Sequence, residues 1–222
     1  MISNRLKCIV EFLDNDHDIA DIGSDHGLLL ILLNEKNFTK NALGVENKIG
    51  PYKNLEKTIK TINKPNFKSS LSSGLEKVPA NYETIVIAGM GFTNIKEIVL
   101  KDREKGNIRN TFVIDCHTNQ ELVRSFFYRL GYKINDETVL YEDDIYYEII
   151  KFTLNVDKAK YTDEELKYGP LNLKRKTETF LNMCKDKIYK LSNILNKISS
   201  DNEKYKLIKT EISFLKEIVH EN

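Results

Sequence analysis

IADIGSDHGLLLI, residues 19–31, is the stretch that decides the predicted fold of this chain. An apolar strand leads into a turn from Gly23 to Gly27, and an apolar helix is expected from about residue 26. Such a turn brings backbone N–H groups and the positive end of a helix dipole to one place, which favours a phosphate or carboxylate. We therefore predict a nucleotide-binding turn, and the alternative is a glycine-rich turn that binds no ligand.

Strands and helices alternate around this turn. We predict strands at 18–22, 42–47, 84–91 and 111–115, a weak strand within 66–78, and helices at 3–14, 26–35, from Pro51, 93–104 and 119–130. This alternation favours a parallel sheet with helices on both faces. The segments 132–139 and 145–154 follow each other without a helix between them, which predicts an antiparallel hairpin at the sheet edge.

The pattern changes after residue 155, where strand-like runs end. Apolar residues recur at spacings of three and four from Cys184 to Ile198 and again from Tyr205 to Val219. This heptad-like spacing predicts two helices joined by a polar turn, an antiparallel coiled-coil hairpin. The alternative is one helix packed on the main domain. The predicted fold class is α/β, with a domain at 1–155 and a helical domain at 156–222.

The overall charge is nearly balanced, with 34 Lys and Arg against 33 Asp and Glu. Only local patches can therefore indicate a nucleic-acid partner. A basic run at the start of the helical domain predicts contacts with RNA phosphates, whereas a solvated helix face is the alternative. We assign this role to Lys174, Arg175, Lys176, Lys185 and Lys187.

The three cysteines, Cys8, Cys116 and Cys184, are scattered along the chain. This usage predicts reduced thiols in a cytoplasmic protein and no metal site. The amphipathic start is unlike a secretory signal, and no apolar run approaches the roughly 18 residues that span a membrane. We expect a monomer without a membrane partner.

Two cofactor classes compete for the turn. The dinucleotide fingerprint requires G-x-G-x-x-G, but here Gly23 and Gly27 enclose Asp25 where a middle glycine is expected. Asp21 precedes the first glycine by two residues, as is common in methyltransferases that use S-adenosylmethionine. Glu46 ends the next strand, where it can accept hydrogen bonds from ribose hydroxyls in either class. The missing glycine disfavours a nicotinamide-dependent oxidoreductase.

The order of motifs along the chain resembles one family. RLKCIVEFL, IADIGSDHG, LGVENKIGPYKNLEKTI, SSGLEKV, IVIAGMG, YYEIIKF and KYGPLNL resemble the bacterial tRNA (adenine(22)-N(1))-methyltransferases of the TrmK type, over nearly the whole chain. The resemblance implies a Rossmann-like class I methyltransferase fold, S-adenosyl-L-methionine as cofactor and tRNA as partner. The reaction that it implies is methylation of nitrogen 1 of an adenosine, at position 22.

The cofactor site that we predict combines this resemblance with the turn. It comprises Asp21, Gly23, Ser24, Gly27, Glu46, Asn47, Ser73, Gly74, Leu75, Ala88, Gly89, Met90 and Gly91. Ser73 stands where family members usually carry an aspartate, and Phe92 stands where they carry a further glycine. These departures motivate the alternative of a catalytically weakened RNA-binding descendant.

Asp25 and His26 are the predicted catalytic residues. Methylation leaves a positive charge on adenine, which the Asp25 carboxylate would stabilise, although capping of the following helix is its alternative role. His26 could hydrogen-bond the base or a local partner. Asp115 and His117 are expected in the substrate pocket, and Arg5 is expected to meet a carboxylate or a phosphate.

Overall fold

The structure is a computed structural model that describes residues 2–155 and 160–220. Its strands are β1 (Ile19–Ile22), β2 (Ala42–Glu46), β3 (Phe67–Leu71), β4 (Thr84–Met90), β5 (Thr111–Cys116), β6 (Tyr132–Glu142) and β7 (Ile145–Leu154). Its helices are α1 (Asn4–Glu11), α2 (Leu28–Glu35), α3 (Ile49–Ile62), α4 (Phe92–Glu104), α5 (Gln120–Arg129), α6 (Asp163–Tyr168), α7 (Pro170–Arg175), α8 (Glu178–Leu195) and α9 (Glu203–His220).

The strands form one sheet in the order β3-β2-β1-β4-β5-β7-β6. The first five strands are parallel, whereas β7 runs antiparallel to both β5 and β6. This is the Rossmann-like α/β architecture with a closing hairpin that the alternation of elements predicts. The carboxyl ends of the parallel strands therefore share one rim, where ligands bind in sheets of this kind.

Apolar residues cover both faces of the sheet. One core packs Ile95 of α4 and Phe127 of α5 against β4 and β5, and a second packs α1, α2 and Leu55 of α3 against the other face. Strand β1 is buried along its whole length, although Asp21 interrupts its apolar sequence, because both faces of the sheet are covered. The core thus holds the rim rigidly on both sides.

Helix α2 begins two residues later than predicted, at Leu28. Gly27 occupies its N-cap position with φ +70°, a left-handed conformation that cannot continue a right-handed helix. No side chain among the described residues caps this helix, so the alternative that Asp25 serves as its cap is wrong.

The helical region contains two 18-residue helices, α8 and α9, that pack on each other and on β6. Phe180 near the start of α8 shares a cluster with Leu215 and Ile218 near the end of α9, which makes the pair antiparallel. Two helices are therefore present as predicted, and the single-helix alternative is wrong, while coiled-coil geometry stays a prediction. The predicted boundary at 155/156 borders residues 156–159, which lie outside the described residues.

Candidate active site

A cavity of about 330 Å³ opens at the carboxyl ends of β1, β2 and β4. Its size falls within the range of small-molecule sites. Seven predicted cofactor residues line it: Gly23, Glu46, Asn47, Ser73, Gly74, Leu75 and Met90. The structure brings these residues together from positions spread over nearly 70 residues of chain, although their roles stay predictions.

Glu46 is the anchor of the turn below this cavity. Its carboxylate is buried and accepts hydrogen bonds from the backbone N–H groups of Asp25, at 2.6 Å, and Asn47, at 3.2 Å. A carboxylate offers about four acceptor positions, so two remain for a ligand in the cavity. The predicted contact with ribose hydroxyls is compatible with this geometry.

The turn is tied to β2 more closely than expected. The N–H groups of Gly23 and Ser24 both donate to the carbonyl of Val45, at 2.9 Å and 3.1 Å. Together with the Asp25 N–H on Glu46, three backbone donors of the turn already have partners. The expectation that these N–H groups are free for an anion is wrong.

The two glycines of the turn make room for different neighbours. Gly23 has φ +78°, and a Cβ there would lie 2.5 Å from the Met90 methyl group at the cavity wall. Gly27 instead faces α3, where a Cβ would lie 3.0 Å from Leu55 and 3.1 Å from Thr58. Gly23 therefore keeps the cavity open, whereas Gly27 lets α3 approach the turn and does not line the cavity.

Asp21 lies buried on β1 beneath the turn and does not line the cavity. Burial raises the pKa of this carboxyl to about 6, the nearby Ser24 hydroxyl opposes the shift, and the charge of Glu46 adds to it. Ser24 Oγ is itself buried and completes no hydrogen bond within the described residues. A buried acid that ionises near neutral pH favours a cationic ligand above it.

Asp25 and His26, the predicted catalytic residues, have exposed side chains and are not among the residues that line the cavity. His26 Nε2 lies 3.7 Å from Asp25 Oδ2, and Asp25 has φ +46°. The backbone holds both residues, because the Asp25 N–H bonds Glu46 and the His26 carbonyl accepts a hydrogen bond from Thr58. Apart from their contact with each other, both side chains extend into solvent, and their catalytic roles stay predictions.

Arg5, Asp115 and His117 meet at the end of β5. Arg5 Nη1 donates to Asp115 Oδ2 at 2.8 Å, and the guanidinium lies over the Tyr147 ring at 5.0 Å. Arg5 and His117 both flank Gly89, at the irregular end of β4. Asp115 is completely buried, so it positions Arg5 and does not itself line a substrate pocket as predicted. Burial raises the pKa of Asp115, and the charges of Arg5 and His117 oppose that shift.

The remaining predicted cofactor positions near β4 lie outside the cavity lining. Ala88 packs with the second core, and Gly91 is the N-cap residue of α4. Phe92, which stands where the family has a further glycine, packs edge-to-face on Phe126 against the first core, with ring centroids 5.9 Å apart. Met90 alone of this stretch reaches the cavity.

One face of α4 forms a wall of the cavity that the sequence prediction missed. Its residues are Asn94, Glu97, Ile98, Lys101, Asp102 and, just after the helix, Lys105. Their spacing of three and four along a helix that follows the AGMG turn is the signal that could have revealed them. Ser72 and Glu76, beside the predicted Ser73–Leu75, complete the wall.

The predicted RNA-binding residues differ in their availability. Lys174 and Lys185 are exposed, whereas Arg175 Nη1 donates to Asp136 at 2.6 Å and Lys187 Nζ lies 2.9 Å from Glu211. Lys176 is half-buried. Arg175 and Lys187 are therefore engaged within the protein, which weakens the prediction that they bind phosphates.

A family model described as a methyltransferase domain matches residues 2–150 of this chain. The chain belongs to this methyltransferase family. Among the described residues of this methyltransferase, no group of three His, Cys, Asp or Glu side chains could hold a metal ion. Nor does any helix within 2–155 or 160–220 combine the length and apolar character needed to cross a bilayer.

Relatives match this methyltransferase almost from end to end. The tRNA (adenine(22)-N(1))-methyltransferase of Bacillus subtilis (strain 168) is 26% identical over 235 residues, covering 98% of this chain and 97% of the relative. Sp1610 of Streptococcus pneumoniae, in complex with S-adenosyl-L-methionine, is 26% identical with a TM-score of 0.88, over 99% of this chain and 100% of that one. M. capricolum TrmK, in complex with S-adenosyl-homocysteine, is 28% identical with a TM-score of 0.85, over 99% and 98%. The predicted TrmK-type family is thus confirmed.

Proposed function

We propose that this protein transfers the methyl group of S-adenosyl-L-methionine to nitrogen 1 of an adenosine in tRNA, at position 22. The observation that carries the proposal is the cavity beside Gly23 and Glu46, in a fold that matches an S-adenosyl-L-methionine complex over 99% of the chain. The position follows the name of the Bacillus subtilis relative.

The chain's own residues fit this cofactor. Glu46 has acceptor positions left for the ribose hydroxyls, and Leu75, Met90 and Ile98 supply apolar walls for an adenine ring. Asp21 is a buried acid below the turn that suits a positively charged ligand. When bound, S-adenosyl-L-methionine supplies an electrophilic methyl group on a sulfonium.

The rim residues would act on the adenosine. Nitrogen 1 of adenine has a lone pair and needs no base, so positioning and electrostatics supply most of the rate acceleration. Because this nitrogen lies on the pairing edge, the adenosine must leave its stack to reach the cavity. Asp25 then stabilises the charge that develops on the ring, His26 hydrogen-bonds the base, and Arg5 binds a flanking phosphate.

The two parts of the chain divide the work under this proposal. Residues 1–155 form the catalytic domain, and residues 156–222 bind the tRNA body through exposed lysines. We also propose a monomer in the cytoplasm, supported by a cavity built within one chain and by free thiols at Cys8, Cys116 and Cys184. Size-exclusion chromatography with light scattering checks the oligomeric state.

The test uses purified full-length protein, labelled cofactor and two unmodified tRNA transcripts that differ only in A or G at position 22. We expect N(1)-methyladenosine in the first transcript alone, identified by mass spectrometry of nucleosides. A folded protein that binds S-adenosyl-homocysteine and tRNA without forming this product would support the RNA-binding alternative. Binding of NAD in place of S-adenosyl-homocysteine would support an oxidoreductase.

A further inference from the structure

A buried charge network joins the sheet edge to the helical region. Arg124 of α5 is completely buried and donates to Glu137 of β6, at 2.9 Å, and to Glu148 of β7. Its third contact is the carbonyl of Lys167 in α6, at 3.3 Å. One cation therefore links two strands of the methyltransferase fold with the first helix of the helical region.

Glu137 extends the network into α7. Its Oε1 accepts hydrogen bonds from the N–H groups of Leu171, at 2.8 Å, and Asn172, at 3.3 Å. At the other end of the same short helix, Arg175 donates to Asp136 at 2.6 Å and to the Glu137 carbonyl at 2.9 Å. Strand β6 thus holds α7 at both ends.

The seat for this carboxylate is closely fitted. Gly169 has φ +91°, and a Cβ there would overlap both carboxylate oxygens of Glu137. The apolar contact nearby, in which Val139 of β6 packs with Phe180 and Leu215, has no comparable directionality. Hydrogen bonds with fixed geometry specify one orientation of the helical region, and apolar contacts alone do not.

The network is a poor source of stability, which argues for another role. Burying three charges carries a large desolvation cost, and apolar replacements of such groups are often neutral or stabilising. Burial raises the pKa of Glu137, and Arg124 and the Leu171 N–H oppose the shift. Buried polar groups of this kind can select one arrangement among several with similar energies.

We propose that the Arg124–Glu137–Glu148 network is a positioning device that fixes the orientation of the α8–α9 hairpin relative to the cofactor cavity. RNA held by the hairpin then presents its base at the rim. The network lies close to the rim along the chain. Arg124 is only four residues into α5, and α5 follows the rim segment that contains Asp115 and His117. The RNA part of this inference rests on the proposed function.

Two substitutions perturb the network from opposite sides. Arg124→Met removes the shared cation, and Gly169→Ala displaces the Glu137 carboxylate without changing any charge. Arg109→Met is the matched control, because Arg109 is also buried and pairs with Asp102 at 2.8 Å. The side chain of Arg109 otherwise donates to the carbonyls of Val78, Pro79 and Tyr82, which all precede the helical region. Arg124→Lys keeps the cation but loses the planar fork, and serves if Arg124→Met does not fold.

Spin labels report the orientation directly. One replaces exposed Tyr189 on α8 and the other replaces exposed Ile108 beside β5, in a Cys8→Ser background. We expect a narrow distance distribution in the parent and in Arg109→Met, and a broadened one in Arg124→Met and Gly169→Ala. Distributions as narrow as the parent's in both network variants would overturn the proposal.

Function is measured in the same proteins. In the two network variants we expect unchanged affinity for S-adenosyl-homocysteine and a single-turnover rate of tRNA methylation lowered about tenfold, because misalignment of reactants is costly. The control should instead change cofactor affinity, since Asp102 lines the cavity. Equal losses of rate and cofactor affinity in the network variants would count against positioning. If the parent methylates no tRNA, the proposed function fails, and the distance distributions still decide the role of the network.

Discussion

Asp21 is an ionisable carboxyl buried in the sheet, and its ionisation should make the free energy of unfolding depend on pH. Its pKa is raised from 3.8 to about 6 by burial. The folded state therefore binds the proton more tightly than the unfolded state, so the stabilisation is complete below about pH 4 and is lost as the pH rises through 6. The difference between the two pKa values corresponds to at most about 3 kcal/mol of stability lost at neutral pH.

Replacing Asp21 by Asn removes this effect. We expect Asp21→Asn to raise the free energy of unfolding by up to about 3 kcal/mol at pH 8 and by about half as much at pH 5, measured by urea denaturation. Under the proposed function the same change weakens binding of S-adenosyl-homocysteine, which carries a positively charged ammonium group, because the buried negative charge below the turn is gone. A variant that is equally or less stable than the parent at pH 8 would contradict this account.

Gly23 is the second residue whose replacement tests the site, and here both folding and cofactor binding should be weakened. Gly23→Ala forces a side chain into a left-handed conformation, at a cost of about 1–2 kcal/mol, and pushes the Met90 methyl group into the cavity. We expect a lower free energy of unfolding and at least about tenfold weaker binding of S-adenosyl-homocysteine by calorimetry, as a loss of about 1.4 kcal/mol implies.

Gly50→Ala is the control for that experiment. Gly50 lies in the first turn of α3, and a Cβ there meets nothing within 4 Å. An added methyl group in a helix is neutral or mildly stabilising. The prediction for Gly23 is wrong if the two variants bind the cofactor product equally well.

At the scale of elements, α1 is held to the end of β5 by the pair of Arg5 and Asp115. Removing Arg5 leaves a buried carboxylate without its cation, so Arg5→Met should lower the free energy of unfolding by about 2–3 kcal/mol at pH 7. Without Arg5 the pKa of Asp115 rises further, so the deficit should shrink as the pH falls and Asp115 is protonated.

The double variant tests that explanation. Adding Asp115→Asn to Arg5→Met removes the uncompensated charge, and denaturation at pH 7 should show most of the lost stability restored. Under the proposed function methylation should stay low, because the amide does not replace the guanidinium at the rim. Stability that is not recovered would show that Arg5 acts through its packing on Tyr147.

Element types could be predicted from the chain, but some of their ends could not. Apolar runs and helical spacing identified the central strands and the antiparallel pair β6 and β7, because local sequence controls both features. The predicted start of α2 was wrong. Aspartate is a common N-cap residue, so Asp25 favoured a helix from residue 26, but the left-handed conformation of Gly27 sets the start at Leu28. A glycine at this position can either continue a helix or adopt a left-handed conformation, so the local sequence left this boundary open.

At the scale of the whole molecule, the helical region should bind RNA through the exposed lysines Lys174 and Lys185. Lys185 Nζ lies 3.5 Å from Oδ1 of Asn182, which is a neutral partner. Lys174→Ala and Lys185→Ala should each weaken tRNA binding and lower the slope of log Kd against log salt by about 1. Filter binding at several salt concentrations gives the slope. Arg175→Ala should mainly reduce stability, because its guanidinium bonds Asp136 and the Glu137 carbonyl.

Equal slopes in the parent and in both lysine variants would place the RNA elsewhere on the surface. A loss of slope in Arg175→Ala without loss of stability would restore this residue to the predicted RNA-binding set. Lys187, held by Glu211, provides a further comparison on α8.

Long-range pairing limited what could be predicted about the site. Glu46 was found because it ends a predicted strand that must reach the common rim, whereas the Ser73–Leu75 turn was assigned through the family resemblance. The pair of Arg5 and Asp115 joins residues 110 positions apart, and the α4 wall depends on how that helix lies over the sheet. Such contacts arise from packing, so composition and spacing leave them open.

The Glu46 carboxylate already accepts hydrogen bonds from the Asp25 and Asn47 amides without a bound nucleoside. The carboxylate that would bind the ribose is therefore preorganised, and no loop has to fold when the nucleoside binds. Under the proposed function, this carboxylate binds a ribose that methyl transfer leaves unchanged. The product nucleoside, S-adenosyl-homocysteine, should then bind with an affinity similar to that of S-adenosyl-L-methionine. The enzyme would thus be inhibited by its own by-product, and its turnover in the cell would depend on the ratio of S-adenosyl-L-methionine to S-adenosyl-homocysteine.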